Sequence, residues 1–249
     1  IWYCSAVVSF LLFLLLLGWT NHLANTQDAQ QMAGRWSEKK DVAQISCFFS
    51  SKAEVTEDTI QSFEYSLKNV LQEASITETS ENPSARLWVD AYSADGKITL
   101  VNGKNTLDAN AIGIGGDFFM FHPLKLITGS YFSGNDLMQD YCIIDQDAAW
   151  QLFGSNDVVG MTVYIGNVPH IVTGVVQRPD SRMDKAAGLN STVVYVSYET
   201  LSAYGTNNGI NHYEIVMPNP VDEFAYSKVK EGIGIDEKNV EIVENSRRY

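Results

Sequence analysis

Hydrophobic positions along this chain follow three spacings, and each predicts a different kind of element. The first is an unbroken run: from Trp2 to Trp19 (WYCSAVVSFLLFLLLLGW) 18 residues carry no charge, and Ser5 and Ser9 are the only strongly polar members. A helix of that length covers about 27 Å, close to the ~30 Å hydrocarbon core of a bilayer. Trp2, Tyr3 and Trp19 lie near its ends, where amphipathic aromatics favour the headgroup region. The run predicts a transmembrane helix over 1–20. The bland alternatives are a signal-peptide core, usually roughly 7–15 residues behind a basic segment, and a wholly buried helix of a soluble protein. Only Asp28 is charged between Thr20 and Gly34, and the first basic residue is Arg35. A flank so poor in basic residues suits the extracytoplasmic side, which places residues after about 20 outside the cell membrane.

The second spacing is helical. Residues 21–41 are rich in Asn, Gln and Ala with few breakers, and predict a helical stalk that continues the span. Thr56, followed by Glu57 and Asp58, predicts a helix start. Ile60, Phe63, Leu67, Val70, Leu71 and Ala74 then fall on one face. Near the other end, Asn219-Pro220 supplies a cap and a first-turn proline, and Val221, Phe224, Ala225 and Val229 form a stripe before Gly232 and Gly234. Strands are expected beside these helices: VAQISCFFS from Val42, HYEIVM from His212 and NVEIVE from Asn239. Residues 42–84 and 206–249 thus read as two halves of one small α+β layer.

The third spacing is the short β-rich run. RLWVDAYS, ITLVNG, LDANAIGIG, YCIID, MTVYIG, HIVTGVV and STVVYVSY fill residues 85–205, punctuated by Asp95-Gly96, Asn102-Gly103, Gly115-Gly116 and Gly166-Asn167, which are turn signals. One short helix is expected in DQDAAWQLFG, with Asp145 or Asp147 as cap and Gly154 as stop, and Pro179 to Ser191 reads as an irregular polar loop. The fold class is therefore α+β: an N-terminal span, then a layer built from both ends of the chain, interrupted by a β-rich insertion.

Composition narrows the function. The 249 residues include 30 Asp+Glu against 17 Lys+Arg, a formal charge of −13, which repels a phosphate backbone and argues against nucleic acid as a partner. Of three cysteines Cys4 lies in the apolar run, so only Cys47 and Cys142 could pair, and the redox compartment stays open. The glycine cluster AIGIGGDFF superficially resembles a dinucleotide loop, but Pro123 interrupts the helix such a loop needs, so a bulge or tight turn is expected. No GxxxxGK[ST] motif is present, no GxSxG elbow or SxxK pair places a serine beside a base, and His22, His122, His170 and His212 show no metal-ligand spacing. Asp136, Asp140, Asp145 and Asp147 are dense but lack the order of a calcium loop, and read as caps and a solvated face. Asn190-Ser191-Thr192 is a formal glycosylation sequon of a kind common by chance. We therefore expect no catalytic, cofactor-binding or metal-ligating residue in this chain, and no enzyme.

Three strings carry a resemblance: Gly115 to Ser133 (GGDFFMFHPLKLITGSYFS), Tyr141 to Val176 (YCIIDQDAAWQLFGSNDVVGMTVYIGNVPHIVTGVV) and Ser191 to Leu201 (STVVYVSYETL). Together with the order of elements, this resembles the periplasmic core domain of MacB-type ABC transporter permeases, a broad group with LolC/LolE and, more distantly, FtsX. The middle string is the specific one, with Ala148, Leu152-Phe153-Gly154, Asp157, Gly160 and Gly174-Val175 in the family's spacing. By element order the resemblance covers roughly residues 1–245, and by string about 115–201. Ser130 stands where the family usually has Arg, and Ser197 where a proline is common.

The resemblance implies a porter subdomain made from the two ends and an inserted sabre subdomain. It implies a mechanical role, in which ATP hydrolysis on a partner ATPase changes the spacing of the outer domains to export or release a substrate. Expected partners are the lipid bilayer, a cytoplasmic ABC ATPase subunit, a second permease copy and, where the host has an outer membrane, a periplasmic adaptor; ATP and magnesium would sit on the ATPase. Further membrane helices are expected past Tyr249. A single-span membrane-anchored binding or sensor module is the alternative reading of the same residues.

Overall fold

The structure is a computed structural model that describes residues 2–25, 28–37, 41–77, 86–178 and 191–245. A mixed sheet runs through it in the order β11 (Val240–Glu244), β1 (Val42–Phe49), β10 (His212–Pro218), β2 (Val89–Asn102), β3 (Asn105–Gly116), β8 (Val193–Ser197), β5 (Tyr141–Asp145), β7 (Val168–Val176) and β4 (Leu126–Gly129). β9 (Thr206–Asn207) pairs with β2, and β6 (Thr162–Ile165) pairs with both β2 and β7. That double pairing closes β2, β3, β8, β5, β7 and β6 into a ring. A closed ring has no free edge along those strands to recruit another chain.

The β2–β3 hairpin, in register from Ala91↔Gly116 to Asn102↔Asn105, belongs to both regions. Its open end pairs with β10 and its tip with β6. Asn102-Gly103 makes the expected turn, with Gly103 at φ +60, and Gly166-Asn167 turns β6 into β7 with both residues at positive φ. Asp95-Gly96 differs from expectation, because β2 passes through it unbroken. A Cβ at Gly96 would stand 2.9 Å from a Leu201 methyl, so this glycine serves close packing of another element and not a turn.

On one side of β11–β1–β10 lie α3 (Glu57–Glu73) and α7 (Phe224–Gly232). Ile60, Phe63, Leu67, Leu71, Ala225 and Val229 of the expected stripes bury against Ala43, Ile45, Tyr213, Ile215 and Met217, whereas Ala74, past the end of α3, and Val221, ahead of α7, are exposed. α3 begins behind Thr56, whose N–H donates to Thr59 Oγ1 at 3.4 Å. α7 starts later than expected: Glu223 sits at φ +64, and Asn219 Oδ1 reaches past it to accept from the Ala225 N–H at 3.0 Å. α5 (Gln146–Phe153) is capped by Asp145 Oδ1 on the Ala148 N–H at 2.8 Å and stopped by Gly154 at φ +74, as expected.

The short elements β4, β9, α4 (Phe118–Phe121) and α6 (Tyr198–Tyr204) had no signal in the sequence beyond Ser197, whose hydroxyl accepts from the Thr200 N–H and caps α6. α4 comes directly after the glycine cluster. Gly116 turns the chain at φ +64, and Gly134 packs so closely that its Cβ would stand 2.5 Å from the Gly115 Cα. The glycines are thus spent on backbone contact, and the four-residue helix after them offers no phosphate site.

At the N-terminus the helix expected over the apolar run forms as α1 (Trp2–Asn25). Its described side chains are those of 7–20, about 21 Å of helix, and Val8, Phe10, Leu15 and Trp19 among them are exposed. Among the described residues no helix is long and apolar enough to cross a membrane. The unbroken helical stalk expected through Lys40 does not form. A 3-10 turn (Asp28–Gln31) leads into α2 (Met32–Trp36), and Ser37 is extended. Residues 38–40, most of the polar loop and Asn190 of the sequon lie outside the described residues.

Candidate functional site

The break in the stalk has a visible cause. In a continuous helix the Ala33 N–H would bond the Ala29 carbonyl four residues earlier. Here the Gln44 side chain of β1 takes both groups: its Nε2 donates to Ala29 O at 2.6 Å and its Oε1 accepts from the Ala33 N–H at 3.3 Å. Gln44 is fully buried, a position where an amide is retained only when its hydrogen bonds are made. Two residues past Ala33, Arg35 Nη2 donates to Met120 O at 2.6 Å, so a cation meets the exposed carbonyls at the end of α4. Met32 buries between them, in a second core with Val89, Ala91, Ile114, Phe118, Phe121 and Val216. The 3-10 turn and α2 that follow α1 are therefore seated on the sheet face opposite α3 and α7.

Further along the same face lies a polar cluster that the sequence spacing did not reveal. Glu214 on β10 is 3% exposed, and its carboxylate stands between two imidazoles. His122, directly after α4, brings Nε2 to 2.5 Å from Glu214 Oε2, and His212 brings Nε2 to 4.0 Å from Oε1. At 2.5 Å His122 Nε2 and Glu214 Oε2 are paired with one another, and His212 Nε2 is buried without a hydrogen bond. Phe118 packs on the His122 ring at 4.6 Å and Phe48 stacks on His212 at 4.7 Å. Ser46 Oγ donates to Glu214 Oε1 at 3.0 Å and itself accepts from Asn245 Nδ2 at 2.7 Å.

Burial works to raise the Glu214 carboxyl, and the contact and charge of His122, with His212 and Ser46, outweigh it and hold it below the usual range. Burial, aided by the neighbouring His122, lowers His212. Residues 122 and 212 are remote in sequence, so no local motif could have joined them. The alternation of His212 and Glu214 on one face of a strand was the single legible hint.

The other candidate residues separate. His170 is buried in a hydrogen-bonded network, with Nδ1 3.0 Å from Val168 O and Nε2 3.1 Å from Thr200 Oγ1. Asp145 caps α5 and, with Asp147, pairs with Arg178; Asp136 accepts from the Ser133 N–H in a turn. Cys47 and Cys142 are both free and buried, and burial pushes each thiol up to about 12. A third titratable cluster lies under α3, where burial and the adjoining Asp90 push the Glu64 carboxyl up to about 8. Asp90 accepts from Tyr213 Oη at 3.0 Å, beside a cavity of about 370 Å³ lined by Lys68, Gln72, Arg86 and Trp88.

The family model of the MacB-like periplasmic core domain matches residues 8–238. The chain belongs to this family. Among curated proteins, a macrolide export ATP-binding/permease protein MacB of Chromobacterium violaceum is 32% identical over 99 residues, 39% of this chain and 15% of that protein. The MacB of Pasteurella multocida is 30% identical over 98 residues, 39% of this chain and 14% of its own length. The chain thus matches only a small part of these relatives. Among solved structures, the periplasmic region of MacB from Actinobacillus actinomycetemcomitans aligns with a TM-score of 0.49 at 20% identity, covering 81% of this chain and 88% of that one. The extracellular domain of the ABC-type transporter YknZ aligns with a TM-score of 0.48 at 18% identity, over 80% and 99%.

Proposed function

We propose that this MacB-like periplasmic core domain is the extracytoplasmic part of an ABC transporter permease, and that α1 is its first membrane helix. In this reading a cytoplasmic ATPase moves α1, and the seat formed by Gln44, Met32, Arg35 and α4 transmits that motion to the sheet. The observation that carries it is the Gln44 amide bridging Ala29 and Ala33. It ties the 3-10 turn and α2, which follow the apolar helix, to β1 through the hydrogen bonds of one buried amide. The domain would work as a pair with a second permease copy, and with an adaptor where an outer membrane is present, to export or release a substrate. Nothing in this role asks the chain for covalent chemistry; nucleotide and magnesium belong to the ATPase.

The test uses the complete transporter in membranes, with Cys4 replaced by serine and a spin label at exposed position 65 of each copy. Addition of ATP is expected to change the label-to-label distance, and Gln44→Ala with Arg35→Ala is expected to abolish that change while ATP hydrolysis continues. A distance that ATP does not alter in the unmutated seat would overturn the proposal and leave a single-span binding module.

A further inference from the structure

We propose that His122, His212 and Glu214 form a binding site for one divalent ion of the zinc class. Three donors converge from separate parts of the chain: Nε2 of each imidazole and one Glu214 oxygen, all within 4.8 Å of one another. Two imidazoles and a carboxylate are a donor set suited to zinc, with water as a fourth ligand.

Two independent observations point to a ligand. First, the atoms that would bind are buried and turned toward one another: His122 Nε2 and Glu214 Oε2 meet at 2.5 Å with no other hydrogen-bond partner, and His212 Nε2 beside them has none. A buried polar atom such as His212 Nε2 is ordinarily satisfied, and a central cation would give it a partner while keeping His122 and Glu214 joined through the same ion. Second, the supports of a metal site are in place. Ser46 and Asn245 hold the carboxylate from behind, and Phe118 and Phe48 fix the planes of the rings, the kind of outer contact that orients metal ligands. The two rings are part-exposed, 24% for His122 and 20% for His212, while their Nε2 atoms face inward toward Glu214.

Donors around tetrahedral zinc stand roughly 3.3 Å apart. His122 is now closer than that to Glu214, and His212 farther. Small opposite rotations of the two rings would even the distances. Because His122 comes directly after α4, the ion would fasten the end of α4 to β10, beside the carbonyls that receive Arg35.

The test titrates the untagged full chain, in detergent and freed of metal by chelation, with Zn²⁺ and separately with Co²⁺. Excess Mg²⁺ is kept present because a net charge of −13 attracts cations diffusely. One Zn²⁺ per chain is expected, with a rise in Tm, and Co²⁺ is expected to give the intense visible bands of a four-coordinate site. His122→Asn, His212→Asn and Glu214→Gln should each weaken Zn²⁺ binding at least about tenfold. Only the weak spectrum of six-coordinate Co²⁺ in the unmutated chain, or Zn²⁺ affinity unchanged by both histidine variants, would overturn the assignment. The Co²⁺ spectrum of the unmutated chain decides the matter even if a variant fails to fold.

Discussion

The two faces of the β1–β10 pair bury nearly the same backbone in opposite ways. On one face Ala43, Ile45, Tyr213, Ile215 and Met217 meet the stripes of α3 and α7, and the contact is hydrophobic area closing on hydrophobic area. On the other face Gln44, Ser46 and Glu214 are equally hidden from water, yet each must find a hydrogen-bonding or charged partner. Area burial is non-directional and tolerates exchange of similar shapes. The polar face tolerates little, since a buried donor without its partner costs about 1–3 kcal/mol. The first face holds the domain together, and the second decides what can dock on it.

The sharpest way to break this contrast is to damage the apolar face alone. Ile215→Ala should cost about 3 kcal/mol of stability by urea denaturation, while leaving the α2 seat protected from hydrogen exchange until global unfolding. Gln44→Ala on the other face should cost less, about 2 kcal/mol, because two backbone groups lose their partner. Its effect should be local: amides from 28 to 36 exchange faster, and α-helical signal rises if the Ala29–Ala33 bond reforms. Equal exchange in both variants would show that the two faces are not separable.

The carboxyl pair under α3 sharpens the comparison through pH. Glu64 is raised from 4.5 to about 8 by burial and then by Asp90. A raised carboxyl contributes its stability in full below its unfolded value, and that stability is lost as pH climbs through the folded value. The unmutated domain should therefore lose stability between about pH 4.5 and 8. Glu64→Gln should flatten that slope and raise stability at pH 8 by about 1 kcal/mol, once solvent screening of this half-buried group is allowed for, read as a higher Tm. An unchanged slope in thermal melts from pH 5 to 9 would remove Glu64 as its source. The smallest effect is expected from Arg35→Ala, about 0.5 kcal/mol, since the α4 carbonyls it meets at the surface can turn to water.

Much of this was legible in the residues. The stripe Ile60, Phe63, Leu67, Leu71 requires a helix with one buried face. Asp145 and Gly154 bracket α5, and Asn102-Gly103 and Gly166-Asn167 leave the chain little choice but to turn. Two signals were used differently from expectation, one by a remote partner and one locally: Asp95-Gly96 does not turn, and Asn219 caps α7 a turn later than its proline suggests. Leu201 needs the space at Gly96, and the left-handed Glu223 delays α7. The stalk failed as a continuous helix because its own hydrogen bond at Ala29 and Ala33 was taken by a side chain eleven residues past Ala33.

By itself, then, the sequence determined what short-range physics controls: the apolar helix at the start, the strands and helices with their caps, the acidic charge, and the strings that mark a MacB-like core domain. Only the tertiary structure decided the rest. It closed six strands into a ring, ran one sheet through both regions, bent the stalk onto Gln44, and brought His122 to His212 and Glu214. Such contacts join residues that lie tens to hundreds of positions apart, and no local propensity specifies them; they exist because the two faces of the sheet must each be covered, one by area and the other by partners for its polar groups.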